Sequence, residues 1–406
     1  MLTSATKACP LCGSSGTLLL LHRDWFPYFT SPLPKAVKDD IRQSLTADQL
    51  GMAFDVRACE ACRHCFLASR PDADTLDELY SRHHTYPSAL ESGICPSRDD
   101  AFLAWFRAHA ERHPLPGKSV LEVACHDGYV LHHLGREGYT VRGCDPSPGA
   151  DIARRHGVPV DRRFFRCDDY LAEEARFDVV LARHFIEHVP DPASLTRELI
   201  RLLRPGGRLI LETPNVLYHL ENGLPEVFSL QHLHGFSAQS LGEVMSQEGL
   251  RVLDSERTPA NLILAASAMG SLALDEPNFG PAAQRFGRKL EETVERVRQS
   301  TSSVLRRKGR LALWGAGSFG SAAMRLYGVP PEAIDMIIDS DPAKIELEYL
   351  ELDVPVISPA QAQADPPELI VVASMYAREI CQRIRELGLP SEVLSLYPCA
   401  PAGPAA

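Results

Sequence analysis

The sequence predicts an α/β protein: a doubly wound, Rossmann-like sheet, preceded by a small cysteine-rich module and followed by a second Rossmann-like α/β domain. Three observations carry that reading. Two Cys-x2-Cys knuckles stand within the first 62 residues. From about Ala101 to Ala268, apolar strand-like runs alternate with helical patterns, the order expected when helices cross over between parallel strands. A glycine-rich turn, Gly315-Ala316-Gly317-Ser318-Phe319-Gly320, follows a further apolar run after a long helical stretch. These signs divide the chain at 1–80, 81–275 and 276–406.

Length and charge bound the function. A chain of 406 residues exceeds one ordinary core and suggests two or three domains of about 100–200 residues each. The formal charge of -11 argues against broad attachment to nucleic acid, which needs Lys and Arg to displace counterions. No apolar run reaches the roughly 18 residues of a membrane helix, and the amino terminus lacks the layout of a signal peptide. The expectation is a cytoplasmic monomer acting on a small molecule, with neither nucleic acid nor membrane as a partner.

Cys9-Pro10-Leu11-Cys12 and Cys59-Glu60-Ala61-Cys62 can close a tetrahedral thiolate site around zinc. Four filled positions leave no place for water, so such a zinc would be structural. His64 and Cys65 crowd the second knuckle as alternative ligands. Residues 22–50 form an excursion between the knuckles. After them, Thr85-Tyr86-Pro87-Ser88 belongs to a polar stretch that Pro87 keeps out of a helix.

In the central region Ser119 to Val123 reads as a strand carrying Glu122, followed by a turn of Ala124, Cys125, His126, Asp127 and Gly128. A helix starting after Gly128 aims its free amides at a ligand. Thr140 to Cys144 is the next strand, and Asp145-Pro146 follows it where a carboxylate can accept from two ribose hydroxyls. This describes a nucleoside site, although Ala124 and His126 stand where glycines are common. Asp168 and Asp169 either reach an adenine amino group or lie in a solvated loop. Val179 to Ala182 and Arg208 to Glu212 are further strands. Ala182-Arg183-His184 ends the first of these, and His184 and His188 are spaced to share a helix face. Two histidines with no acidic third ligand make a weak metal pair.

The segment from Pro225 to Ser237 follows the last of these strands and is placed to cover the site. His232 within it can accept a proton near neutral pH, or can simply fasten the loop. Ala282 to Lys308 reads as a long helix. The glycine turn comes next, Ile334 to Ile338 forms a strand ending at Asp339, and Leu369 to Ala373 forms another. Gly315, Gly317, Gly320 and Asp339 have the spacing of an NAD site, without an evident hydride-transfer constellation.

The central motifs, with Leu203-Arg204-Pro205-Gly206-Gly207 before the last strand, resemble class I S-adenosylmethionine (SAM) methyltransferases. Across nearly the whole chain, the two knuckles, the core, the long helix and the glycine turn resemble the three-domain nucleotide-sugar C-methyltransferases. The matching pieces are Cys59 to Leu67, Thr85 to Ser88, Ala182 to His184, Gln231-His232 with Phe236-Ser237, and Gly315 to Gly317. The resemblance implies SAM bound by Glu122, Ala124, Cys125, Asp127, Gly128, Asp145, Pro146, Ala182 and Arg183. It places His232 at the base position and Tyr86 on an active-site tyrosine, with His184 as a further catalytic candidate. A nucleotide sugar would lie against Gln231, Gly315, Gly317, Ser318 and Asp339. Two family signatures are absent: Ser229-Leu230-Gln231-His232 replaces Tyr-His-Glu-His, and Thr258 to Leu262 replaces His-Gly-Gly-Ser. A SAM-dependent methyltransferase for another polar metabolite or a natural-product intermediate, and an NAD-dependent oxidoreductase, are the competing readings.

Overall fold

The computed structural model describes residues 7–23, 32, 34–35, 38–39, 54–68, 88–92, 97–171, 177–229, 231–349 and 352–398. The chain forms two compact units. One comprises Met1–Leu19, Val56–Leu217 and Gln231–Gly280, the other Leu20–Asp55, Tyr218–Leu230 and Pro281–Ala406. Among the described residues no helix is long and apolar enough to cross a membrane.

The strands preceding the second α/β region are β1 (Thr17–Arg23), β2 (Phe54–Cys59), β3 (Cys65–Leu67), β4 (Ser119–Val123), β5 (Thr140–Cys144), β6 (Val160–Asp161), β7 (Phe177–Arg183), β8 (Leu203–Pro214), β9 (His234–Gly235), β10 (Arg251–Arg257) and β11 (Asn261–Ser267). The central sheet runs β10-β11-β8-β7-β4-β5-β6. Numbered from β4 as the first strand, that order is 6-7-5-4-1-2-3. Strands β4 to β8 pair in parallel, whereas β11 runs antiparallel to β8. This is the Rossmann-like fold of class I SAM methyltransferases. A parallel sheet is covered on both faces, which is why its strands read as continuous apolar runs. Leu121, Val123, Val180, Leu209 and Leu211 pack on one face, and Val120, Val179, Leu181 and Ile210 on the other. The strand order reverses between β4 and β7, opening a ligand crevice at their carboxyl ends.

A smaller sheet follows the order β1-β2-β3-β9, and its antiparallel pairing sets Cys65 opposite Gly235. The segment Thr258 to Asn261 is the turn of the β10-β11 hairpin, closed by the Thr258 amide donating to the Asn261 carbonyl.

The second unit holds most of the helix Phe279–Arg306 and a parallel sheet of β12 (Leu311–Trp314), β13 (Ile334–Ile338), β14 (Val356–Ile357), β15 (Leu369–Val372) and β16 (Glu392–Ser395). Its order, β14-β13-β12-β15-β16, again reverses beside the first strand. The glycine turn lies at that reversal. Gly315 adopts φ +114°, and a Cβ there would meet the Ala373 carbonyl oxygen at 2.5 Å. The buried Tyr349 hydroxyl lies 2.6 Å from the Gly317 carbonyl oxygen and 3.2 Å from that of Gly315, so it donates into the turn. A Cβ on Gly320 would collide with that hydroxyl. Gly320→Ala is therefore expected to destabilise the second unit by about 1–3 kcal/mol, read as a lower urea midpoint. An unchanged midpoint would show that Tyr349 is not seated against the turn.

Candidate active site at the carboxyl ends of the central strands

The turn after β4 alternates left-handed residues: Ala124 at φ +57°, His126 at φ +48° and Gly128 at φ +69°. The glycine-poor sequence thus keeps the backbone path that glycines ordinarily supply. For residues with a Cβ, this conformation costs on the order of 1–2 kcal/mol each. The helix Tyr129–Arg136 starts directly after Gly128, as the sequence predicts. Asp145 directly follows β5 and is 7% exposed. Its two oxygens accept from the His126 and Ser147 amides, each at 2.8 Å, which locks the carboxylate against the turn. Asp127 accepts from the Ser88 hydroxyl at 2.7 Å and from the Leu90 and Tyr129 amides. Burial works to raise its pKa, but these hydrogen bonds and the neighbouring His126 hold the carboxyl well below the usual range. Cys125 is buried beneath the turn, and Pro146 is half-buried beside Asp145.

Alternation along the strands directs Glu122, Arg183 and Glu212 to one face of the sheet. There the Arg183 guanidinium meets Glu212 at 2.6 Å, Glu122 at 3.4 Å and Asp99, from the helix Ser97–Arg112, at 2.6 Å. It also lies 4.2 Å from the Phe102 ring centroid, a cation–π contact. Asn261 donates to Glu212 at 2.7 Å. The Arg183 side chain is thus engaged within the protein, while Ala182 is buried in the strand. The second oxygen of Glu122 is buried and has no hydrogen-bond partner among the described residues. Burial pushes the Glu122 pKa up to about 7; Arg183 opposes this, and Asp99 and Glu212 add to it. Burial also works to raise the Glu212 pKa, but Arg183 and His184 hold it at about 2.

His184 and His188 do not share an α-helix. His184 adopts φ +48°, and a short 3-10 helix, Ile186–His188, follows. The turn brings in Glu187, an acid that the spacing of the histidines did not predict. His184 faces Glu187 at 3.5 Å and Glu212 at 3.7 Å. Burial works to lower the His184 pKa and Arg98 adds to that, but the two carboxylates raise it overall. Burial works to raise the Glu187 pKa, yet the facing histidines hold it at about 2. The Thr213 hydroxyl donates to Glu187 at 3.2 Å. His188 Nδ1 lies 2.8 Å from the Gln231 carbonyl oxygen, and the His188 and His232 rings meet edge to face at 4.8 Å between centroids. His184, His188 and His232 therefore gather around one carboxylate. Tyr86 lies outside the described residues.

Cys9, Cys12, Cys59 and Cys62 come together, with the Cys9–Cys62 and Cys12–Cys59 sulfurs each 3.6 Å apart. A tetrahedron with bonds of about 2.3 Å needs sulfurs about 3.8 Å apart, so the cluster fits zinc. The hydrogen bond with Cys62 lowers the Cys9 pKa to about 5 and drives that of Cys62 upward, because crowded sulfurs do not all ionise without a cation. Cys65 is buried in β3, and His64 Nε2 lies 2.9 Å from His234 Nδ1, so neither joins the four. In the second unit, Asp339 accepts from the Ala316 amide at 2.7 Å and pairs with Lys344 at 3.1 Å. Gly317 faces open space, and Ser318 opens the helix Ser318–Arg325. Sequence reasoning missed Asp99, Glu187 and the role of Glu212. Only the last had a signal, its place at a strand end.

These shifts fix the sign of the pH dependence. Glu122 has a raised folded pKa, so its ionisation costs stability above about pH 7 and that cost fades as pH falls toward 4.5. Glu187 and Glu212 have depressed values, so their contribution is present above pH 4.5 and is lost as pH falls through about 2. Glu122→Gln is expected to raise the stability of ligand-free protein at pH 8 by on the order of 1–3 kcal/mol, and by much less at pH 5. Melting curves at both pH values check this; an equal effect at the two would show that Glu122 titrates normally.

Residues 98–255 match the methyltransferase-domain family, and residues 265–389 match the C-methyltransferase C-terminal domain. The ubiquinone biosynthesis O-methyltransferase of Xylella fastidiosa (strain 9a5c) is 40% identical over 112 residues, covering 26% of this chain and 46% of that protein. The protein of that name from Thiobacillus denitrificans is 41% identical over 119 residues, covering 28% and 50%. The chain thus spans about half the length of the curated relatives it matches. Among solved structures, the CcbJ methyltransferase from Streptomyces caelestis is 16% identical, covering 45% of this chain and 99% of that one, with a TM-score of 0.35. Magnesium protoporphyrin IX methyltransferase from Synechocystis, solved with bound SAM, is 16% identical, covering 48% and 94%, with a TM-score of 0.33. Its strand order gives the central region the class I methyltransferase fold, within which residues 98–255 match a methyltransferase domain, and residues 265–389 match the C-methyltransferase C-terminal domain.

Proposed function

We propose that the protein is a SAM-dependent methyltransferase acting on carbon beside the keto group of a nucleotide-activated sugar, with His232 as the base. One observation carries the reading: a methyltransferase core is joined to a domain of the C-methyltransferase C-terminal family. Asp145 is held rigidly at the end of β5, where it can accept from the ribose hydroxyls of SAM. The Glu122 oxygen without a partner among the described residues and the Asp127 turn would face the methionine portion. When bound, SAM supplies an electrophilic methyl carbon on a sulfonium. His232 would take the proton from the carbon next to the carbonyl; the electron pair released there would form the bond to the methyl carbon as the methyl–sulfur bond breaks and its electrons stay on the sulfur of the departing S-adenosylhomocysteine. His188, through its contact with the Gln231 carbonyl, fixes the loop that carries the base. In the second unit, the turn of Gly315, Gly317 and Ser318 would hold the diphosphate, with Asp339 beside it; the family match there favours this over an NAD site. Tyr86 and Gln231 complete the proposed substrate contacts.

A second reading keeps the fold and cofactor but methylates another polar metabolite at oxygen. The core's identity of about 40% to O-methyltransferases favours it. Mass spectrometry separates the two: incubation with SAM and a panel of nucleotide keto sugars should add one methylene mass to a sugar, at carbon. Gain only on hydroxyl-bearing metabolites outside that class would support the second reading.

With the true substrate at saturation, His232→Asn is expected to lower turnover by about a hundredfold or more while SAM affinity changes little. Near-normal turnover would make His232 a loop fastener.

The four-cysteine cluster is proposed to hold one structural zinc, which would contribute on the order of 10 kcal/mol to folding the small module. Protein dialysed against a weak chelator should retain one zinc per chain, and Cys62→Ser should lose it together with amide-exchange protection of β2 and β3. Native protein without zinc would reject this.

A further inference from the structure

We propose that Glu187, His188 and His232 form a second metal site, for a divalent transition ion of the zinc class, distinct from the four-cysteine cluster. Their ligand atoms all lie within 4.8 Å of one another, and Glu187 Oε1 is 3.9 Å from His188 Nε2. Bonds of about 2.0–2.2 Å place ligand atoms roughly 3.3 Å apart. Closing around an ion therefore asks for contractions of about 0.6 Å between Glu187 and His188 and up to about 1.5 Å elsewhere, shared among three side chains.

Two independent features point to a cation. The Glu187 side chain is 1% exposed; its Oε2 accepts from Thr213, while Oε1 has no hydrogen-bond partner among the described residues. That oxygen faces imidazoles and has no hydrogen-bond donor among the described residues, so it is an anionic ligand atom that a cation can take up. His188 supplies the second feature. A carbonyl oxygen only accepts, so the 2.8 Å contact with Gln231 puts the proton of the neutral ring on Nδ1. Nε2, 3.9 Å from Glu187 Oε1, is then the ring's acceptor nitrogen. Metal-binding histidines are typically held this way, by a backbone carbonyl on the far nitrogen. His184 Nδ1 lies 3.5 Å from the same Glu187 oxygen, and its other nitrogen faces Glu212, which keeps it at the edge of the set. One carboxylate and two imidazoles suit zinc, cobalt or nickel better than magnesium or calcium, and three protein ligands leave one position open.

The consequence for activity rests on the reading of His232 as base. An ion there takes the ring lone pair that proton removal needs, so metal binding and methyl transfer exclude each other, and added zinc should inhibit.

The test uses full-length protein with the four-cysteine cluster loaded, titrated with Zn2+ by calorimetry and with Co2+ by absorption. Cobalt at thiolates gives intense sulfur-to-metal bands that a nitrogen–oxygen site lacks, so the two sites are read apart. One additional ion per chain is expected, weakened at least a hundredfold in Glu187→Gln and His188→Asn. Thr213→Val, which keeps all three ligands, should weaken it about ten- to a hundredfold. No ion beyond the cysteine cluster, or an extra ion bound equally well by folded Glu187→Gln and His188→Asn, would overturn the site. If the extra ion binds and turnover rises with it, the site stands and the free-imidazole base falls. If His232→Asn abolishes turnover but no extra ion binds, the base stands and the site falls.

Discussion

The arrangement at the carboxyl end of the sheet depends on where the Arg183 guanidinium is placed. It ties β4, β7 and β8 to the helix Ser97–Arg112 through Glu122, Glu212 and Asp99, and it rests on Phe102. Removing Arg183, or one of the two carboxylates it meets at 2.6 Å, typically costs about 3–5 kcal/mol, because the charge left behind has no water to turn to. The set is also unbalanced: three carboxylates face one guanidinium, with the His184 imidazole beside Glu212. The raised pKa of Glu122 reports that imbalance. A cationic group arriving at the free Glu122 oxygen would settle the excess charge, and the sulfonium and ammonium of SAM are such groups. The interaction that fastens the sheet end therefore also prepares it electrostatically for the cofactor proposed here.

The second constraint is backbone geometry. Ala124, His126 and His184 hold left-handed conformations without being glycine, and all three lie at ends of the central strands. Such strain persists where surrounding interactions over-determine the path. Here the source is visible: the His126 amide is held by Asp145, and the His184 amide by the Glu212 carbonyl. Carboxylate and carbonyl acceptors at neighbouring strand ends thus do the work that glycine's freedom does elsewhere.

That explains what the sequence made legible. The strands at Ser119–Val123 and Ile334–Ile338 were readable to the residue, because parallel strands covered on both faces are short, mostly apolar runs bounded by turns; Thr140–Cys144, less buried, was readable from its place before Asp145-Pro146. The four cysteines were readable because their knuckles are local. The β10-β11 hairpin was not, since its polar outer strand lacks a continuous apolar run. Asp99 joins Arg183 across 84 residues, and Glu187 faces His232 across 45, distances over which no spacing rule operates. His184 and His188 carried a helical spacing, but the left-handed turn at His184 replaced the helix with a tighter one and turned Glu187 inward.

The two nucleotide-fold turns show why pattern and use come apart. The turn after β4 keeps one glycine, yet it follows the expected path, beside a buried Glu122 oxygen with no hydrogen-bond partner among the described residues. The turn after β12 has all three glycines, yet two answer internal needs: Gly315 clears the Ala373 carbonyl and Gly320 clears Tyr349. Only Gly317 faces open space. A glycine records that something approaches the backbone closely, and that something can be a ligand or the protein's own tyrosine. The departure from pattern therefore counts for little against the first turn. Agreement with pattern counts for little in choosing a dinucleotide at the second, where two of the three glycines are accounted for within the protein.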